Sequence, residues 1–264
     1  MKPSLSELNE IIACPNCKAP LVLLKNANAT CQNCKEIYRW RTGTWELIPS
    51  SYRASSPLWT AWDQLQENGV VSYKNDPEHN LGVGEREDCQ AFSRFCNFDG
   101  LVLDIGCGPQ EWPAYFEFHS TQTGFIGVDP LIESSSSKYM QLKALGEYLP
   151  FRDETIDHVV FSTSLDHFIN PSVALQEAKR VCKADGELDI WLGEKLSSAP
   201  RPSVSHSWYE NLSKPDVADD FFHLHRLTAL ETEQLFKEIG LQVIETKLTK
   251  IDDYRSNLFY RLKP

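Results

Sequence analysis

Apolar residues along the chain alternate between short continuous runs and helix-spaced stripes. Leu101-Val-Leu-Asp-Ile105 and Gly124-Phe-Ile-Gly-Val128 are uninterrupted apolar runs that end in turn residues, the pattern of strands buried on both faces. The span Glu85 to Phe98 carries apolar or small residues at 89, 92, 95, 96 and 98, which predicts an amphipathic helix ahead of the first strand. A second helical pattern covers Glu111 to His119. Further on, Asn170-Pro171 is a helix start, Gly186 follows that helix, and Glu187 to Leu192 reads as a strand. Thr228-Ala-Leu-Glu231 is a capping box and Gly240 a helix stop. Two last strands, 241–248 and 256–262, can pair as an antiparallel edge. Alternating strands and helices predict an α/β fold with a doubly wound, mostly parallel sheet.

Two regions fall outside this rhythm. Residues 51–84 contain Pro57, Asn75-Asp-Pro77 and Gly82-Val-Gly84, broken by one short helical pattern around Trp59, Trp62 and Leu65, and read as a linker and flap. Residues 194–220, with Pro200, Pro202, Pro215, Trp208 and Tyr209, form a long irregular insertion of the kind that carries binding loops and acceptor specificity. The expected division is a small module at 1–50, the linker at 51–84 and a main domain at 85–264.

The small module is defined by cysteine spacing. Cys14-Pro-Asn-Cys17 and Cys31-Gln-Asn-Cys34 are two thiolate knuckles thirteen residues apart, the arrangement of a closed tetrahedral zinc site with a structural role. Fewer than 50 residues bury too little core to fold unaided, and a structural zinc supplies about 10–16 kcal/mol of folding free energy. Two disulfides are the alternative, one that belongs to secreted chains. Cys89 and Cys96, seven apart on one helix face, read as core residues.

Charge narrows the partners. Of 26 basic and 37 acidic residues, six and four lie in 1–50, so the module is +2 and the remainder −13. A −13 body repels polyanions, which disfavours nucleic acid and anionic membrane as partners. No stretch approaches 18 apolar residues and MKPSLSELNE lacks a signal-peptide core, so the expected location is the cytoplasm.

The strand–glycine turn at Asp104-Ile-Gly106-Cys107-Gly108-Pro-Gln110 lets backbone approach a ligand closely. A dinucleotide-binding G-x-G-x-x-G would need a glycine where Glu111 stands, and there is no phosphate-binding G-x-x-x-x-G-K-S/T. Asp129, which ends the second strand 25 residues after Asp104, is placed to accept hydrogen bonds from a ribose. Two acids around a glycine turn suit a cationic nucleoside such as S-adenosylmethionine, which carries a sulfonium and an ammonium and no phosphate.

The motifs Val102-Leu-Asp104-Ile-Gly106-Cys107-Gly108-Pro109, Gly127-Val-Asp129, Gly146-Glu147-Tyr-Leu-Pro-Phe151 and Ile156-Asp-His-Val-Val-Phe-Ser162 through Asn170-Pro171 resemble class I S-adenosylmethionine-dependent methyltransferases over residues 85–264. The resemblance implies a Rossmann-like seven-stranded sheet with an antiparallel last strand. It places the methionine part of the cofactor on Asp104, Gly106, Cys107 and Gly108, the ribose on Asp129 and Pro130, and the adenine near Gly146 and Glu147, with Ser162 and Thr163 at the next strand end. Gln110 and Leu145 depart from the family pattern, at the third loop glycine and at an adenine-binding aspartate. Residues 8–50, with Ile11-Ile-Ala-Cys-Pro, Tyr38, Gly43 and Leu47-Ile-Pro49, resemble the small zinc-binding activator subunit of tRNA and protein methyltransferases. That resemblance implies a zinc ribbon and a protein partner.

Methyl transfer needs an aligned nucleophile and at times a base. His167, just beyond the fourth strand, is a candidate base or a packing residue. His223 and His225 alternate on an expected extended segment after Asp219-Asp220, as a polar acceptor wall or a second metal site. The favoured function is methyl transfer to an oxygen or nitrogen of a small or carrier-linked acceptor such as a sugar, polysaccharide precursor or natural product. The alternatives are an RNA methyltransferase, since ribosomal-RNA guanine methyltransferases also carry an N-terminal zinc ribbon, and a non-enzymatic cofactor-binding activator.

Overall fold

The computed structural model describes residues 2–78, 86–116, 124–134, 138–196 and 207–264. A capping box at Ser4, whose hydroxyl and N–H exchange hydrogen bonds with Glu7, starts α1 (Leu5–Ile11). Three short antiparallel strands follow: β1 (Ala29–Thr30), β2 (Ile37–Arg41) and β3 (Thr44–Glu46), the last two joined at Thr42-Gly43, both with positive φ. Next come α2 (Trp59–Asn75) and α3 (Glu87–Phe95), then β4 (Leu101–Ile105), β5 (Gly124–Val128), β6 (Met140–Leu142) and β7 (Ile156–Ser162). The chain finishes with α4 (Pro171–Val181), β8 (Cys182–Lys195), α5 (Ala229–Ile239), β9 (Gln242–Lys250) and β10 (Arg255–Lys263).

Seven strands form one sheet in the order β6-β5-β4-β7-β8-β10-β9. The first five are parallel, and β10 lies antiparallel between β8 and β9. The expected doubly wound sheet with an antiparallel last strand is thus the observed one. Caps match as well: Asn170 accepts from the Val173 N–H, the Thr228 box is complete, and Gly240 is left-handed at φ 74°. The predicted helix over 111–119 differs, because its described part forms only a 3₁₀ turn at Ala114–Phe116. Trp112, Tyr115 and Phe116 turn into an aromatic cluster with Phe125, and that packing overrides helical continuation. The linker also departs from expectation, since α2 runs for 17 residues; Gly82 and Gly84 of the expected flap lie outside the described residues.

Two apolar layers clamp the sheet. One face, with Val102, Val160 and Phe259, packs on α3 through Phe92 and Phe95, with Cys89 and Cys96 buried among them. The other face, with Leu103, Ile126, Leu142 and Ile190, packs on α4 and α5 and also on Leu8, Ile12, Leu21 and Tyr38 of the cysteine module, in one continuous cluster. Backbone pairing extends this docking. The Leu47 N–H donates to Lys143 O (2.7 Å) and the Lys143 N–H to Trp45 O (3.0 Å), so β3 covers the β6 edge of the sheet. Ile12 pairs with Phe151, and Lys18 binds Glu177 on α4 at 2.5 Å. The module is therefore an added layer of the main domain and shares its core.

Candidate functional site

The glycine turn leaves the carboxyl end of β4. Gly106 (φ 79°) and Gly108 (φ 68°) are both left-handed, and the Gly106 and Cys107 N–H groups donate to Val128 O at the end of β5. Asp129 ties the turn to its own strand end: the Gly108 N–H donates to Oδ2 (2.8 Å) and the Leu131 N–H to Oδ1 (2.7 Å). Each carboxylate oxygen keeps a further lone pair for a ribose hydroxyl. Burial pushes Asp129 up to about 6, against its two N–H bonds and the Lys143 charge. Gln110 stands where the family has glycine and clamps the turn instead. Its Nε2 donates to Cys107 O (2.8 Å), and its main-chain carbonyl accepts from the Gln141 amide (3.0 Å) and the Tyr139 hydroxyl (3.3 Å).

Asp104 faces the Tyr115 side of the sheet. It is fully buried beneath the turn, accepts from the Tyr115 hydroxyl, and has an unpartnered Oδ1. Burial, aided by the Asp129 charge and opposed by the Tyr115 bond, raises it to about 7. Because this folded value exceeds the ordinary 3.8, the folded chain holds an extra proton between the two. Stability from this group is therefore full at low pH and is lost as pH rises toward 7. Asp104→Asn should melt higher than wild type above pH 7, by an amount on the order of 2 kcal/mol, with the gap closing toward pH 4. A pH-independent difference in melting temperature would refute this assignment.

The adenine-side residues sit close to the turn. A Cβ on Gly146 would lie 2.5 Å from Phe168 and 3.0 Å from Ile105, and Phe168 also edges Gly106. Glu147 is committed elsewhere: its Oε1 accepts from the Ile169 N–H (2.9 Å) and the Asn170 N–H (3.4 Å), and burial raises its pKa. Leu145 is buried against Trp59, Trp62 and Ile169. Pro130 and Ser162 are half-buried and Thr163 is exposed, held at φ 54° with its N–H on Trp191 O (2.9 Å).

His167 and His223 meet beyond β7, their rings 4.1 Å apart. His167 Nδ1 faces Phe222 O (3.1 Å), which makes Nδ1 the donor and leaves Nε2 unprotonated in the neutral ring. Burial, then the His223 charge, lowers His167 to about 4, so the neutral form prevails at physiological pH. His223 Nδ1 lies 2.7 Å from Asp220 Oδ1 and its Nε2 3.7 Å from Asp166. Asp166, His167 and His223 could together face one cation, but the Arg226 guanidinium already lies 3.5 Å from Asp166 and binds Asp220 at 2.7 Å. The expected extended segment is corrected here. The Asp220 carboxylate accepts from the Phe222 and His223 N–H groups and turns the segment, with His223 against the His167 ring and His225 Nε2 on Ile169 O (3.2 Å).

Helix α2 straps both halves together. Tyr73 sits on the glycine turn, 3.1 Å from where a Gly108 Cβ would be; Asn68 donates to Ser213 O and Phe221 O; and the Trp62 indole donates to His167 O (2.9 Å). Tyr73, Ser164, Asp166 and Arg226 are the contributors that sequence reasoning missed. Tyr73 continues the stripe of Trp59, Trp62 and Leu65 and was detectable on that spacing. Part of the insertion, 197–206 with Pro200 and Pro202, lies outside the described residues, as do His119 and the other residues of 117–123.

In the module, the Sγ atoms of Cys14, Cys17, Cys31 and Cys34 all fall within 4.8 Å of one another. Cys14–Cys34 at 3.6 Å and Cys17–Cys31 at 3.5 Å are too long for disulfides and close to the edge of about 3.8 Å of a tetrahedron with 2.3 Å metal–sulfur bonds. Lys18 (φ 60°) and Lys35 (φ 65°) close matching knuckles on Cys14 O and Cys31 O. Burial pushes the Cys14 thiol up to about 12, so a thiolate there requires a cation.

Comparison with known proteins bears on the domain and the fold. Residues 103–190 match the family described as "Methyltransferase domain". An uncharacterised protein of Methanocaldococcus jannaschii is 29% identical over 53% of this chain and 71% of its own length. An uncharacterised methyltransferase of Schizosaccharomyces pombe is 30% identical over 53% of this chain and 56% of its own length, so the match spans little more than half of that relative. Among solved structures, one chain of the complex between the Haloferax volcanii Trm112 methyltransferase activator and its companion methyltransferase superposes with a TM-score of 0.51 at 18% identity, over 73% of this chain and 96% of that one. Residues 103–190 thus form a methyltransferase domain, and its sheet has the Rossmann-like fold of the methyltransferase structure it superposes on.

Proposed function

We propose that the chain methylates an oxygen or nitrogen of a small or carrier-linked acceptor, and that its neutral His167 ring accepts the acceptor's proton. One observation carries this reading: the His167–His223 pair sits beyond β7, joined to the cofactor turn by α2 and to the irregular 207–226 segment by Asn68. S-adenosylmethionine supplies the electrophilic methyl when bound. Asp129, Pro130 and the Gly106–Gly108 turn hold the cofactor, with Gly146 and Phe168 beside the adenine; Ser162 and Thr163 flank the same edge. His223, fixed by Asp220, orients His167, and the −13 body disfavours RNA as acceptor. We place the protein in the cytoplasm, a reading supported by its eight free thiols. No helix among the described residues is long and apolar enough to cross a membrane.

The same reading gives the cysteine cluster one structural Zn²⁺. The activator-like segment engages this chain's own sheet, so activation of that kind is intramolecular. A further protein partner would meet its outer side, where Val22, Leu24 and Ile37 are exposed.

Titration calorimetry of the folded, metal-loaded protein with S-adenosylmethionine tests the assignment, together with label transfer to a small-molecule fraction. Asp129→Ala should weaken cofactor binding by about 1–3 kcal/mol, or roughly 5- to 150-fold, because it removes a buried acceptor. Wild-type affinity in that variant would remove Asp129 from the site, and label found only in RNA would reassign the acceptor.

A further inference from the structure

Strand β9 is the outer edge of the sheet, and all nine of its residues are exposed. It pairs with β10 on one side, and among the described residues nothing pairs with the other. Val243 (40% exposed), Ile244 (45%) and Leu248 (62%) are apolar side chains left in solvent on a long edge whose ladder is regular from Glu245 to Lys250 and bulges at Ile244. Such edges are templates for another strand, and folded proteins ordinarily blunt or cover them.

The sequence of β9 identifies the strand that fits. Read antiparallel against itself about Thr246, Gln242-Val-Ile-Glu-Thr-Lys-Leu-Thr-Lys250 sets Glu245 opposite Lys247 and Ile244 opposite Leu248, and a twofold axis makes each pair twice. The two kinds of pair fall on different faces. Ile244, Thr246 and Leu248 share the face of Leu258 and Tyr260, where α5 packs through Phe236; Glu245 and Lys247 share the opposite face with Arg261. Neighbouring registers fail. An axis at Glu245 sets that glutamate against its own copy, an axis at Lys247 does the same for the lysine, and an axis between residues would put opposed side chains on different faces. Only the Thr246 register joins unlike charges and apolar pairs together.

We propose that a second copy of this chain docks antiparallel along β9 with its twofold axis at Thr246, which fuses the two seven-stranded sheets into one. The contact is isologous and closes at two copies. It stands independently of the acceptor and of the metal.

The test is sedimentation velocity of the full chain at tens of micromolar, with circular dichroism as the fold control. Wild type should sediment at twice the 30.1 kDa chain mass. Lys247→Glu sets glutamate against glutamate twice and Glu245→Lys sets lysine against lysine twice, so each folded variant alone should sediment as a monomer. Mixed together, the acidic strand faces the basic one and the dimer mass should return. A monomeric wild type, a dimeric Lys247→Glu variant, larger assemblies, or a mixture that stays monomeric would each overturn the proposal.

Discussion

Stripping metal from the cysteine cluster is expected to unfold far more than the first fifty residues. The four thiols sit at the top of a layer whose Leu8, Ile12, Leu21 and Tyr38 share one core with β4, β5, β6 and β8. β3 covers the β6 edge, Ile12 pairs with Phe151, and Lys18 holds Glu177, which also accepts the Leu149 N–H. A structural zinc contributes about 10–16 kcal/mol to folding, against a net domain stability of about 5–15 kcal/mol. Loss of the ion therefore removes most of the margin, and the shared core makes the loss cooperative. Native mass spectrometry should show one Zn²⁺ per chain. A strong chelator, or Cys14→Ser, should lower the melting temperature by roughly 20 °C or more in a single transition and abolish cofactor binding, because the released segment pairs directly with residues 149–152 beside Gly146. A metal-free purified protein with an unchanged melt would remove the zinc assignment. Two separate transitions with cofactor affinity intact would instead show that module and domain fold independently.

The features most legible in the sequence were those fixed by local chemistry. Asn170-Pro171, the Thr228–Glu231 box and Gly240 bound their helices as read, because caps are satisfied within four residues. The glycine turn and the knuckles were equally plain, since only glycine or paired thiols meet those constraints at that spacing. What escaped depends on contacts distant along the chain. Glu147 looked free for adenine, but residues 22 and 23 positions away occupy one of its two carboxylate oxygens, Oε1. Asp104 looked like part of a ligand cradle, yet the strand alternation that exposes its neighbours to one layer turns it into the other, under Tyr115. The Asp220 carboxylate turns the segment at His223, a local bond that the expectation of an extended segment overlooked. The length of α2 was masked by Asn68-Gly69 and the two valines after it, poor helix formers that Trp59, Trp62 and Leu65 anchor by packing. Except at the local Asp220 turn, tertiary packing won over local preference.

Gly106→Ala should cost the site about 3 kcal/mol of cofactor affinity, roughly a hundredfold, although it adds one methyl group. The added Cβ would stand 2.5 Å from Ser164 Cβ and 3.0 Å from its hydroxyl oxygen. Ser164 cannot simply rotate away, because it is buried and its hydroxyl donates to Ile105 O at 2.5 Å. Either of two adjustments damages binding. If residue 106 leaves φ 79°, its N–H loses Val128 O and the turn no longer presents the Gly108 N–H to Asp129. If Ser164 moves instead, the Leu165–His167 turn moves with it and displaces the candidate base from His223. The left-handed backbone adds about 1 kcal/mol of strain in either case. Gly69→Ala is the matched control: it lies within α2, a Cβ there meets only Leu131 at 4.0 Å, and it should stabilise the helix by about 0.5–1 kcal/mol with cofactor affinity unchanged. Calorimetry on both variants separates a crowded turn from a general intolerance of added volume. Unchanged affinity in Gly106→Ala would mean that the cofactor does not rest on this turn.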